Sequence, residues 1–160
     1  MPASLRLELI GLDAAGRRLG KLADAGRDLT PVFADIGEYL VRTTKDRFRS
    51  QTDPSGRPWK PLSDDYRKRK KRNKEKVLTL DGYLSGTINS NAARAHVDVG
   101  SPMVYAGTHQ FGAAKGAFGA TATGQPIPWG DIEAREFLGL SRDDAAEVEL
   151  LVRDWLASQL

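Results

Sequence analysis

One stretch of the chain requires the rest of the fold to be built against it. From Pro31 to Arg49, the residues Val32, Phe33, Ile36, Tyr39, Leu40, Thr43, Arg47 and Phe48 recur at helical spacing on one face. That pattern is an amphipathic helix, and its apolar stripe has to be buried against a partner layer. Thr30 can cap it, and Pro31 suits the first helical position, where no backbone N–H is needed. At the standard rise the helix runs about 28 Å. The chain has 160 residues, 40% of them hydrophobic, which suffices for one core, so residues 1–160 are expected to form a single domain.

The partners of that helix read as a mixture of helix and strand. Leu5, Leu7 and Leu9 alternate with Arg6 and Glu8 in the two-residue period of a half-buried strand. Asp13 can cap a helix carrying Leu12, Ala15, Leu19, Leu22 and Ala23 on one face, weakened by Gly16 and Gly20. Thr87–Asn89 and Ala95–Val99 read as two strands of a hairpin, with Val97 and Val99 on one face and His96 and Asp98 on the other. In Ile132–Leu140, Phe137 and Leu138 are expected to return to the core. Ser141, with Asp144 in the third position, caps a terminal helix with Ala145, Val148, Leu151, Val152, Trp155 and Leu156 on one face. Removing Trp155, if buried, is expected to cost ~3 to 5 kcal/mol. The fold class is therefore α+β: a long helix, a C-terminal helix and a small antiparallel sheet.

Between these elements the composition changes. The loop QTDPSGRPWKPLS, Gln51 to Ser63, holds turn chemistry at Asp53-Pro54-Ser55-Gly56, and its prolines forbid a helix. Asp81-Gly82-Tyr83-Leu84 suits either a short helix or a turn, and Ser101-Pro102 starts a short helix leading into YAGTHQFG. Residues 112–126, GAAKGAFGATATGQP, are small and glycine-rich, and composition predicts a mobile loop or arm.

Charge is concentrated in one place. Arg67, Lys68, Arg69, Lys70, Lys71, Arg72, Lys74 and Lys76 stand beside a single acid, Glu75, giving a local charge of +7 in a chain of net charge +3. Ser63 with Asp64 and Asp65 can start a helix into this run. If the whole run is helical, its charges surround the axis, so it must face solvent, phosphate or an acidic partner. No recognised base-reading motif accompanies it.

Catalytic and ligand-binding classes find little support. No cysteine occurs, which excludes a disulfide scaffold, a thiolate metal site and a cysteine nucleophile. His109 and His96 lie in no nucleophile signature, and His96 with Asp98 supplies at most two metal ligands. The sequence GAAKGAFG is not a phosphate loop, and Asp64-Asp65 and Asp143-Asp144 are explained as helix starts. His109 is expected to be a partly buried residue satisfied by a backbone carbonyl, with Tyr105 and Phe111 in apolar contact. No cofactor, metal or enzyme activity is expected. The N-terminus, MPASLRLELIG, has no signal-peptide pattern and no apolar run reaches membrane-spanning length, so neither secretion nor a membrane is expected.

Several segments in order carry a resemblance: DPSGRPWKPLS, VLTLDGYLSGTI, VGSPMVYAGTHQFG and IEAREFLGLS ahead of a terminal helix. Together they resemble the bacteriophage virion morphogenesis proteins, the Mu-type and tail-completion protein S group. The resemblance implies a small structural protein that completes the tail and joins it to the head. It implies a homo-oligomeric ring, a hexamer by tail symmetry, contacts with other neck and tail proteins, and residence in the virion after assembly in the host cytoplasm. On that basis the basic run lies near packaged DNA, and Trp59, Tyr105, His109, Phe111 and Trp129 are candidate interface or packing residues. The competing expectation is a non-enzymatic nucleic-acid-binding protein using residues 67–76.

Overall fold

The computed structural model describes residues 13–159, with side chains from Arg17 onward; the strand expected over Leu5–Leu9 lies outside the described residues. Helix α1 spans Asp13–Ala25 and the long helix α2 spans Thr30–Ser50. The α2 boundaries fall within one residue of expectation. Its first turn is held differently, because Asp28 Oδ1 accepts from the Thr30 N–H at 3.0 Å while Thr30 itself is already helical. The buried face of α2 carries Val32, Ile36, Thr44, Arg47 and Phe48. Among the side chains described in α1 none is buried: Leu19 is 67% exposed, Ala23 is exposed and Leu22 is half-buried.

Strands β1 (Asn89–Ala92) and β2 (Val97–Gly100) pair antiparallel, with Asn89 opposite Gly100 and Ala92 opposite Val97. The first strand is thus shifted toward the turn relative to the sequence reading. Val97 and Val99 face inward and Asp98 outward, as the alternation requires. The sheet lies against α2 where Gly37 permits it. A Cβ there would come within 2.8 Å of Ser90 Cβ and 3.0 Å of Val97 Cγ2, so only glycine lets the helix and hairpin approach so closely.

The core continues from α2 into the loops. Phe48 contacts the rings of Trp59 and Phe137, each with centroids 5.4 Å away, and Phe137 is wholly buried. Val77, Leu84, Ile88 and Ala106 complete the cluster. Leu84 comes from the short helix α4 (Tyr83–Gly86), entered through Gly82 at φ 85°, and Ala106 opens helix α5 (Ala106–Phe111). Trp59 is therefore a core residue, and its indole N–H donates to Glu136 O at 2.9 Å.

Helix α6 (Arg142–Ser158) begins with the expected capping box between Ser141 and Asp144. Its packing departs from the sequence reading. Ala145 and Leu156 are exposed, Trp155 is only half-buried, and Asp144 is the buried residue of the helix. The Trp155 stability expectation therefore does not apply at full size. Polar groups fasten the start of α6 to α2: Arg47 Nη2 donates to Asp144 Oδ2 at 2.5 Å and Tyr39 Oη donates to Asp144 Oδ1 at 3.0 Å, while Arg47 Nη1 donates to Phe137 O, ahead of α6, at 2.9 Å.

Candidate nucleic-acid and partner interface

The basic run does not form one helix. Helix α3 covers Asp64–Arg69 only, started by Ser63 Oγ, which accepts from the Tyr66 N–H. At Lys70 the backbone turns extended, and its ammonium donates to the carbonyls of Asn73 at 2.8 Å, Lys76 at 2.5 Å and Thr79 at 2.7 Å. Lys70 is only 5% exposed, and burial pushes it below the ordinary lysine range, with Glu75 opposing the shift. The expectation of charges surrounding a helix, none buried, is thus corrected. Successive like charges disfavour continuing the helix, and three inward-facing carbonyls offer one ammonium a better place.

The remaining cations form an exposed ridge. Arg67 pairs with Asp64 at 2.9 Å and Glu75 at 3.3 Å, and Arg72 pairs with Asp81 at 2.8 Å. Lys68, Arg69, Lys71, Lys74 and Lys76 are exposed and have no acidic partner among the described residues. These side chains define an exposed cationic surface. Lys68 and Arg69 end α3 while Lys71, Lys74 and Lys76 follow on the loop that winds around Lys70, so the five have no regular spacing of the kind a base-reading helix presents.

Beside the ridge lies a cleft of about 850 Å³, bounded by Lys60–Ser63, α3, residues 78–84, α5 and residues 131–135. Tyr66, Leu80, Tyr83 and Tyr105 line it and remain exposed. The charged groups at its edge already have partners within the protein: Lys60 pairs with Glu133 at 2.6 Å, Arg135 Nε donates to the Lys60 backbone carbonyl at 3.2 Å, and Asp131 Oδ1 accepts from the Lys115 backbone N–H at 2.8 Å.

His109 stands in the cleft wall. Its ring meets Tyr105 edge-on with centroids 5.8 Å apart, but Phe111 is 79% exposed and gives no cover. The expected backbone partner is also absent, because Nδ1 is buried without a hydrogen bond among the described residues. Burial, and then the charge of Arg135, hold its pKa below the usual histidine value, so the ring is neutral near pH 7. The residue that does structural work in this motif is its neighbour. Gln110 Oε1 accepts from the Phe137 and Leu138 N–H groups, both at 3.0 Å, and its Nε2 donates to Leu138 O at 3.0 Å. Sequence reasoning missed Gln110, since a lone glutamine carries no local signal of a distant strand-like partner.

The other sequence candidates are scattered. His96, just ahead of β2, and the exposed Asp98 within it approach to 3.5 Å, and no cluster of three metal-ligating groups occurs among the described residues. Trp129 is 77% exposed, far more than Trp59, which the core absorbs. Among the described residues, no helix is long and apolar enough to cross a membrane.

The described residues thus present loops packed on one long helix, an exposed cationic ridge and an aromatic cleft. Residues 10–157 match the model of the phage virion morphogenesis family, and the chain belongs to that family. It is 28% identical to the putative capsid assembly protein G of Escherichia phage Mu, across 76% of this chain and 75% of that protein. It is also 26% identical to the Mu-like prophage FluMu G protein 1 of Haemophilus influenzae, across 85% of this chain and 82% of that one. No solved structure matches the chain. Membership assigns it a general structural role in building a phage particle.

Proposed function

We propose that the protein completes the phage tail and joins it to the head, assembling as a hexameric ring at the tail end or neck with the 67–76 ridge turned toward the DNA passage. Family membership supports the setting, and one observation carries the placement of DNA. Five cations, Lys68, Arg69, Lys71, Lys74 and Lys76, are exposed without acidic partners among the described residues. Unpaired surface cations that release counterions from phosphate give affinity without sequence preference, which suits a conduit through which any genome passes. The ring would reside in the virion, touching other neck and tail proteins, and would be made in the host cytoplasm. This role calls on no catalytic group and no cofactor.

Two measurements test this. Native mass spectrometry of the purified protein is expected to show a closed oligomer; monomer at every concentration, with neck and tail partners also present, would overturn the ring. Duplex DNA binding is expected to be weak, unselective and steeply salt-dependent. Replacing Lys68, Lys71 and Lys74 by alanine should lower the salt slope by about 3. Sequence-selective binding that persists at moderate salt would instead favour the nucleic-acid-binding reading. Lys70 is left out of this variant because it belongs to the fold.

A further inference from the structure

Residues 113–132 fold back on themselves as a two-legged arm. Ala113 and Ile132 exchange backbone hydrogen bonds at its root, Phe118 N–H donates to Ile127 O at 2.7 Å, Ile127 N–H donates to Gly119 O at 2.8 Å, and Thr121 N–H donates to Gln125 O at 2.8 Å. From Gly116 to Gly130 the arm carries no charged residue. Its large apolar side chains, Phe118, Ile127 and Trp129, are all exposed. An isolated two-legged segment that displays two aromatic rings to water leaves apolar surface for a contact outside itself.

The cleft beside the basic ridge has the matching properties. Tyr66, Leu80, Tyr83 and Tyr105 give it an apolar, tyrosine-rich lining of the kind found at protein interfaces. Because the charged groups lining it already have hydrogen-bond partners within the protein, an uncharged insert would displace water from apolar wall without stranding a charge, whereas a charged insert would lose its own water without meeting a free counter-charge. Only the foot of the arm, at Asp131 and Ile132, borders this cleft; none of residues 113–130 lines it. The arm and the cleft of one copy are thus both uncovered, and they are complementary.

We infer that the arm of one copy seats Phe118 and Trp129 in the Leu80–Tyr83 cleft of the next. The inference rests on the ring reading above and names the surfaces that would close it. The contact is heterologous, using different patches on the two copies, so an open chain of copies keeps one free arm at one end and one free cleft at the other until the ring closes. It also brings neighbours together through an uncharged element, sparing the direct approach of two cationic ridges.

The test uses two double variants of the full chain, Phe118→Ser with Trp129→Ser in the arm and Leu80→Lys with Tyr83→Lys in the cleft. All four side chains are exposed, so unchanged thermal unfolding is the expected control. Each variant alone is expected to be monomeric by native mass spectrometry, its self-association weakened by at least about 30-fold. Mixed, they are expected to form a one-to-one heterodimer, because one retains an intact cleft and the other an intact arm. Wild-type-like assembly by either variant alone would overturn the arm–cleft contact and leave the ring reading standing. Failure of two monomeric variants to pair would likewise overturn it. A wild type that is monomeric at every concentration would remove the ring and this contact together.

Discussion

Asp144 caps α6 through Ser141, accepts from Tyr39 and neutralises Arg47, so one carboxylate joins the N-terminus of the last helix to the middle of the longest. Burial opposes its ionisation, yet the hydrogen bonds from Ser141 and Tyr39 and the charge of Arg47 outweigh burial and hold its pKa below the ordinary value of 3.8. A depressed folded value means the stabilisation is complete above about pH 4 and is lost as pH falls through the folded pKa. Tyr39 has the opposite sign: burial, then the bond to Asp144, push it up to about 12, so its contribution is complete below pH 10 and is lost on the way to 12. Urea unfolding followed by tryptophan fluorescence should therefore show stability falling at both extremes. Asp144→Asn should cost about 3 to 5 kcal/mol at pH 7, because Arg47 stays buried without its counter-charge, and should weaken the acid limb. A variant with the wild-type midpoint would contradict this account. Gln110→Ala should cost about 2 kcal/mol by leaving the Phe137 and Leu138 groups unpaired, while His109→Ala, which breaks no hydrogen bond at Nδ1, should cost less in the same experiment.

At the scale of elements, what could be read in advance was whatever chemistry is local. The α2 periodicity, the Ser63 and Ser141 caps and the Val97/Val99 alternation all depend on neighbours within a few residues. The end of α3 was not legible, because Lys70 is captured by carbonyls of residues 73, 76 and 79 that converge only after the chain has wound around it. Trp59 and Trp129 both follow proline-bearing loops, and nothing in composition says that one packs on Phe48 while the other faces water. The same holds for α6, whose apolar pattern suggested a buried stripe although a carboxylate makes its deepest contact. Lys70→Met leaves three carbonyls without their donor and should cost about 2 kcal/mol or more in thermal unfolding, whereas Lys71→Ala, one residue along and exposed, should stay within about 0.5 kcal/mol. Equal effects for the two would mean that the loop does not depend on the buried ammonium.

At the scale of the whole molecule, the chain divides its tasks between surfaces of different physics, and salt should separate them. Phosphate contacts by the ridge weaken as counterion release becomes less favourable. With all five free cations engaged, duplex affinity should fall by roughly 500-fold between about 50 and 200 mM salt. An uncharged arm in an apolar cleft has no such dependence. Bringing several +7 segments into one ring adds repulsion that salt screens, the Debye length being about 10 Å at 0.1 M and shorter above it. Self-association should therefore hold steady or strengthen over the range in which DNA binding collapses. Sedimentation of the protein alone and fluorescence anisotropy with labelled duplex, run across one salt series, would compare the two directly. Parallel loss of both would mean that subunits are held by the same ionic groups that hold phosphate, and the assignment of separate surfaces to assembly and to DNA would fail.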